Sequence, residues 1–154
     1  MNTGFRLGKL NMNFDPRGAG GSIFSAYSWV VEIDEEPLRG LYVELIVLFG
    51  SRARGDAGPS SDTDVGVLFS AGKPHGIDEI EKVRAALGGG DFLDLVCLNT
   101  ADPLLLRLAA EEGIAQFQAH PGAIEEFRLR AHKRYMDTAK FRRLEAETLR
   151  ARHG

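Results

Sequence analysis

Apolar positions along this chain follow two kinds of pattern. Residues 42–49 are almost wholly apolar and β-prone, which predicts a central strand buried on both faces. Residues 64–69 (D-V-G-V-L-F) and 92–98 (F-L-D-L-V-C-L) read as second and third strands. Between them, residues 76–87 set Ile77, Ile80, Val83, Ala86 and Leu87 on one helical stripe, which Gly88-Gly89-Gly90 ends. Asp102 caps a predicted helix from Pro103 to about Glu112, with Gly113 as its stop, and residues 114–118 read as a short strand. Pro121 opens one long final helix to about Arg150, with Ile124, Phe127, Ala131, Tyr135, Thr138, Phe141 and Leu144 on one face. Ahead of these, Ser22 precedes the helically spaced Ile23, Phe24, Tyr27, Val30 and Val31, and Glu35-Glu36-Pro37 is expected to stop that helix.

The order β-β-α-β-α-(β)-α predicts an α+β (α/β) fold, a small mixed sheet flanked by helices. Three segments follow from it. Residues 1–40 form an irregular lead-in with a possible helix, 41–121 a core, and 122–154 a basic C-terminal helix packed on the core or on a partner. A length of 154 residues suits one domain, and 44% hydrophobic with 27% charged residues is an ordinary globular profile. No apolar run is long enough to cross a membrane and no apolar leader is evident, so a cytoplasmic location is expected. The single cysteine, Cys97, excludes an intrachain disulfide framework and reads as a small buried hydrophobe, and four scattered histidines do not make a usual zinc pattern.

Charge changes the picture in one respect. Residues 122–154 carry nine Lys/Arg against five Asp/Glu, whereas residues 1–121 carry ten against seventeen. The acidic body argues against direct nucleic-acid binding, which rests on phosphate neutralisation. The basic end, with Arg128, Arg130, Lys133, Arg134, Arg142 and Arg143 expected to face outward, suits an acidic protein surface.

The chemistry concentrates in L-F-G-S-R-A-R-G-D-A-G-P-S-S-D-T-D, residues 48–64. Gly50-Ser51 follows the first strand directly and offers what phosphates need: no Cβ at Gly50, backbone N–H groups and a hydroxyl. Asp62 and Asp64 sit at i and i+2 at the start of the second strand, so their carboxylates share a face. Carboxylates forced together repel, and a divalent cation with oxygen ligands, Mg²⁺ or Mn²⁺, relieves that. Asp94 interrupts an apolar strand and is the candidate third acid, with Asp91 at the strand entrance as its rival. Arg52 and Arg54 lie beside the prospective phosphate pocket. No P-loop or G-x-G-x-x-G sequence is present.

Gly-Ser followed ten residues later by Asp-x-Asp resembles the signature of the DNA polymerase β-like nucleotidyltransferase superfamily. The fuller string L-F-G-S-R-A-R-G-x-A-x-P-x-S-D-x-D resembles its minimal members, the MntA-type antitoxins, over roughly residues 42–117. Two departures are visible: a longer, irregular lead-in where the family has a short helix, and Gly66 where a bulkier strand residue is usual. The resemblance implies transfer of AMP from ATP to an acceptor hydroxyl. Asp62, Asp64 and Asp94 would hold two Mg²⁺ ions and do the catalysis, and Gly50, Ser51, Arg52 and Arg54 would bind the triphosphate. It also implies a partner, a HepT-type toxin modified on tyrosine, as in a type VII toxin–antitoxin pair. Two other functions stay open: the same transfer to a small, aminoglycoside-like acceptor, and an antitoxin that acts by binding alone.

Overall fold

In the computed structural model of the chain, residues 35–55, 62–88 and 93–153 are described. The helix expected after Ser22 lies outside them, as does Asp91. The first described element is helix α1, Glu35–Gly40. Glu35-Glu36-Pro37 therefore opens a helix where the sequence reading has it closing one. Two acids favour the positive end of a helix, and a proline in the first turn lacks only an N–H that has no intrahelical partner there. Buried Leu38 fixes α1 on the sheet, so a short helix does lead into the first strand.

Four strands follow among the described residues: β1 (Val43–Phe49), β2 (Thr63–Phe69), β3 (Leu93–Cys97) and β4 (Ile114–Gln118). They lie in the order β3-β2-β1-β4, with β1 antiparallel to both β2 and β4 and β3 parallel to β2. The parallel pair is joined through α3 (Ile77–Ala86), as parallel strands require. A turn of helix, α2 (Ser51–Arg54), leaves the end of β1, and α4 (Pro103–Glu112) precedes β4. The sheet is mixed and flanked by helices on both faces, as expected.

Those two faces make two apolar clusters. On one side Ile46, Leu48, Val65, Val67 and Leu93 pack against Leu38 of α1 and Val83 and Leu87 beside the end of α3. On the other, Leu45, Val47, Phe49 and Leu68 pack against Leu106 and Ala109 of α4 and Ile124, Phe127 and Ala131 of α5 (Ala123–Asp137). Burial on both sides is why β1 reads as an unbroken apolar run. Ile77, placed on the buried stripe by its spacing, is 82% exposed because the helix begins there, past the edge of the core. The α4 boundaries match the sequence: Asp102 Oδ1 accepts from the N–H groups of Leu104 (2.9 Å) and Leu105 (3.0 Å), and Pro103 takes the first turn.

Gly66 is not a weakness of β2. A Cβ there would stand 2.9 Å from both methyl carbons of Leu98, a residue 2% exposed. The missing side chain is the space Leu98 occupies. Gly66→Ala is expected to cost about 1–3 kcal/mol by overpacking, read as a lower urea midpoint. An unchanged midpoint would mean that Leu98 repacks freely.

The long final helix divides in two. After α5 the chain continues as α6 (Ala139–His153), with the break at Thr138. Its hydroxyl donates back to the carbonyls of Arg134 (3.0 Å) and Tyr135 (3.1 Å), a local bond that bends helices. Arg142 donates to the same hydroxyl at 2.6 Å and lies 3.7 Å over the Tyr135 ring, with Arg107 of α4 over that ring at 4.4 Å. The predicted apolar face is core only as far as Ala131. Phe141 is 70% and Leu144 51% exposed, and no residue of α6 is buried.

Three of the six cations expected to face outward have partners. Arg128 donates to the carbonyls of Ala110 and Gly113, capping α4, Arg130 pairs with Glu44, and Arg142 is held at the bend.

Candidate active site at the ends of β1, β2 and β3

β1 runs antiparallel to β2, so the residue that ends one lies beside the residue that starts the other. Phe49 is in register with Asp64, and Asp64 with Asp94 across the parallel pair. Side chains in register project from the same face, so the sheet brings Asp64 and Asp94 side by side. Asp62 stands two residues before Asp64, exposed at the strand entrance, while Thr63 between them turns inward and is buried.

The turn after β1 completes the site. Gly50 has φ +73° and ψ −154°, a left-handed conformation that side chains disfavour. Chain path and space agree here: a Cβ on Gly50 would overlap Oδ2 of Asp64 and lie 3.1 Å from its Cγ. The backbone of the Gly50-Ser51 turn therefore passes directly over the Asp64 carboxylate, with Ser51 opening α2. Arg54 closes that turn, its N–H donating to the Gly50 carbonyl at 3.0 Å. Arg52 also lies on α2.

Asp64 responds to these neighbours. Burial first, then the negative charges of Asp94 and Asp62, push its carboxyl above the ordinary value, and the positive charge of Arg54 opposes them. Two neighbouring acids and one arginine thus act on Asp64, next to the Gly50-Ser51 turn. An all-oxygen, acidic donor set of this kind suits a hard divalent cation, and the absence of a side chain at Gly50 lets the turn approach the Asp64 carboxylate closely.

Asp94 requires a correction of reasoning. The sequence places it in a buried strand, where an unpaired carboxylate is costly. In the structure β3 is the edge of the sheet and Asp94 is exposed. Its case rests on its register with Asp64 and not on burial.

Two features escaped the sequence reading. Glu112, the last residue of α4, accepts from Arg54 Nη1 at 2.9 Å and so borders the site. Glu111-Glu112 at a helix C-terminus opposes the helix dipole, and that misplacement was the available signal. The other is Glu44, His120 and Glu126, whose ligand atoms lie within 4.8 Å of one another. Glu44 stands near the start of β1, away from the Asp62–Asp64 end. Arg130 already holds it at 3.1 Å, so this group reads as an ion-pair network joining β1 to α5.

The family model described as polymerase beta, nucleotidyltransferase, matches residues 36–120. The chain belongs to that family. The match spans α1 through β4 and so contains every residue assigned to the site. The nucleotidyltransferase is 28% identical over 120 residues to the protein adenylyltransferase MntA of Aphanizomenon flos-aquae, covering 66% of this chain and 77% of the relative. Its fold is that of a toxin–antitoxin crystal structure with AMP-PNP, at TM-score 0.56 and 24% identity over 76% of this chain and 98% of the other. A tri-AMPylated HEPN toxin in complex with an MNT antitoxin from Shewanella oneidensis gives 0.53 and 24%, over 74% and 90% of the two chains. Among the described residues no helix is long and apolar enough to cross a membrane.

Proposed function

We propose that this nucleotidyltransferase is an antitoxin that transfers AMP from ATP to a hydroxyl, expected to be a tyrosine, of a HepT-type toxin. The observation that carries the reading is the Asp64 carboxylate, set beneath the Gly50 turn, in register with Asp94 and within the field of Asp62. The acceptor oxygen forms a bond to the α-phosphorus as the bond to the α–β bridging oxygen breaks, releasing pyrophosphate. The acceptor proton passes to Asp94, whose exposed carboxylate on the sheet edge is within reach of an incoming protein surface. Gly50 and Ser51 hold the triphosphate through backbone N–H groups and hydroxyl, and Arg52 and Arg54 offset charge on the departing pyrophosphate. Two Mg²⁺ ions held by Asp62, Asp64 and Asp94 would supply positive charge to the attacking and leaving oxygens.

The MntA relative and the exposure of Asp94 support a protein acceptor over a small one. The test is transfer of label from α-labelled ATP to the toxin. Label on the toxin tyrosine, lost without ATP, is the expected result. Toxin silenced equally well with no nucleotide would instead mean an antitoxin that works by binding.

The toxin's seat follows from α6. Its Phe141, Leu144 and Leu149 are half or more exposed, and it carries five Lys/Arg against two Asp/Glu. An apolar stripe on a basic helix fits an acidic surface with an apolar centre, and the toxin is its occupant in this reading. Changing Phe141 and Leu144 together to Asp is expected to weaken toxin binding on the order of 30-fold or more, with ATP affinity unaltered. Unchanged toxin affinity in surface-based kinetics would place the toxin elsewhere.

A further inference from the structure

Glu112 ends α4 with nothing local to favour it. Two acids, Glu111 and Glu112, occupy the last turn with no basic residue among them, against the helix dipole. Glu111 is satisfied within the helix, accepting from Arg107 Nε at 2.6 Å. Glu112 turns the other way, across 58 positions of sequence, to Arg54 at 2.9 Å. Its side chain is only 23% exposed. The chain holds it firmly there: Ile114, two residues on, pairs with Leu48 of β1, one residue short of Phe49 and two short of Gly50. The carboxylate and the phosphate turn are thus fixed to the same pair of strands.

Arg54 stands at the junction. It ends α2, its N–H closes the turn on the Gly50 carbonyl, and its charge is felt at Asp64. An arginine on a single turn of helix has many rotamers, and holding one of them beforehand removes an entropic cost from ligand binding. Guanidinium is a rigid planar fork, so a carboxylate that accepts from one Nη fixes the plane of the whole group.

We propose that Glu112 is a positioning residue for nucleotide binding, holding Arg54 in the orientation in which its guanidinium meets the triphosphate. This rests on the reading of the Gly50-Ser51 turn as the triphosphate site. Glu112 touches neither nucleotide nor acceptor. It acts through Arg54, and its effect disappears when Arg54 is absent.

The test is a double-mutant cycle on full-length protein, reading AMP-PNP affinity by calorimetry with Mg²⁺ and melting temperature in parallel. Glu112→Ala is expected to weaken AMP-PNP about five- to tenfold, and Arg54→Ala at least as much. The double variant should bind like Arg54→Ala alone, and Glu112→Gln, which keeps an acceptor oxygen, should recover most of the loss. Glu112→Ala that lowers the melting temperature and leaves affinity unchanged would reduce the pair to a structural tie and overturn the proposal. So would an equal loss in the Arg54→Ala background. Wild-type protein that fails to bind AMP-PNP overturns the triphosphate reading itself, which separates the two failures.

Discussion

Replacing Asp62 and Asp64 together by Asn is expected to abolish AMP transfer, while the fold survives. Both residues sit at the open end of β2, where their removal leaves no cavity, and the apolar clusters on the two sheet faces do not include them. Asp64→Asn alone should raise the melting temperature at neutral pH without added divalent cation. The sign comes from the Asp64 carboxyl, which burial and the charges of Asp94 and Asp62 push above its ordinary value of 3.8. A folded state that holds its proton more tightly than the unfolded chain is favoured below that ordinary value. That advantage is lost as pH rises through the folded-state value. The wild type therefore falls behind Asp64→Asn as pH climbs out of the acid range, and the two converge again in acid. Mg²⁺ should stabilise the wild type and not the double variant. Calorimetric melting from pH 3 to 8, with and without Mg²⁺, reads both effects. Wild-type transfer by the double variant would remove these acids from the mechanism.

Asp94→Asn should lower turnover by roughly 10²–10⁴-fold, the usual scale of a lost general base, with AMP-PNP affinity largely kept. The carboxylate is exposed on an edge strand, so the change should barely alter stability. Asp91→Asn should be near neutral. Quench-flow turnover with saturating ATP compares them, and the reverse ranking would give the third acid's role to Asp91.

Most of this architecture was legible because each signal in it is local. Strand β1 is buried on both faces and reads as such, and the Asp102-Pro103 start of α4 is cap chemistry that needs no tertiary context. The same holds for Gly50, Asp62 and Asp64, which come from adjoining elements at short spacing. What could not be read depends on distant contacts. Gly66 looks like a flaw until Leu98 fills the space of its missing side chain. Asp94 stands out as an acid in an apolar strand, but its register with Asp64 and the place of that strand at the edge depend on strand order, which periodicity does not carry. Arg142 reads as one more exposed cation until Tyr135 and Thr138 occupy it. The amphipathic period runs on past the break at Thr138, because a helix can keep its stripe after leaving the core that the stripe was expected to cover.

The break at Thr138 makes α6 a lever. Fifteen residues of helix extend roughly 22 Å from Thr138, so a pivot of about 10° moves the far end by about 4 Å. The joint is held by the Tyr135 ring, with the guanidinium groups of Arg107 and Arg142 over it, and by the Arg142 donation to the Thr138 hydroxyl. None of these lies on the exposed stripe of Phe141 and Leu144. The aim of the stripe is therefore encoded one helix away from the surface it presents. A substitution at Tyr135 or Arg107 can redirect that surface without altering a single side chain on it.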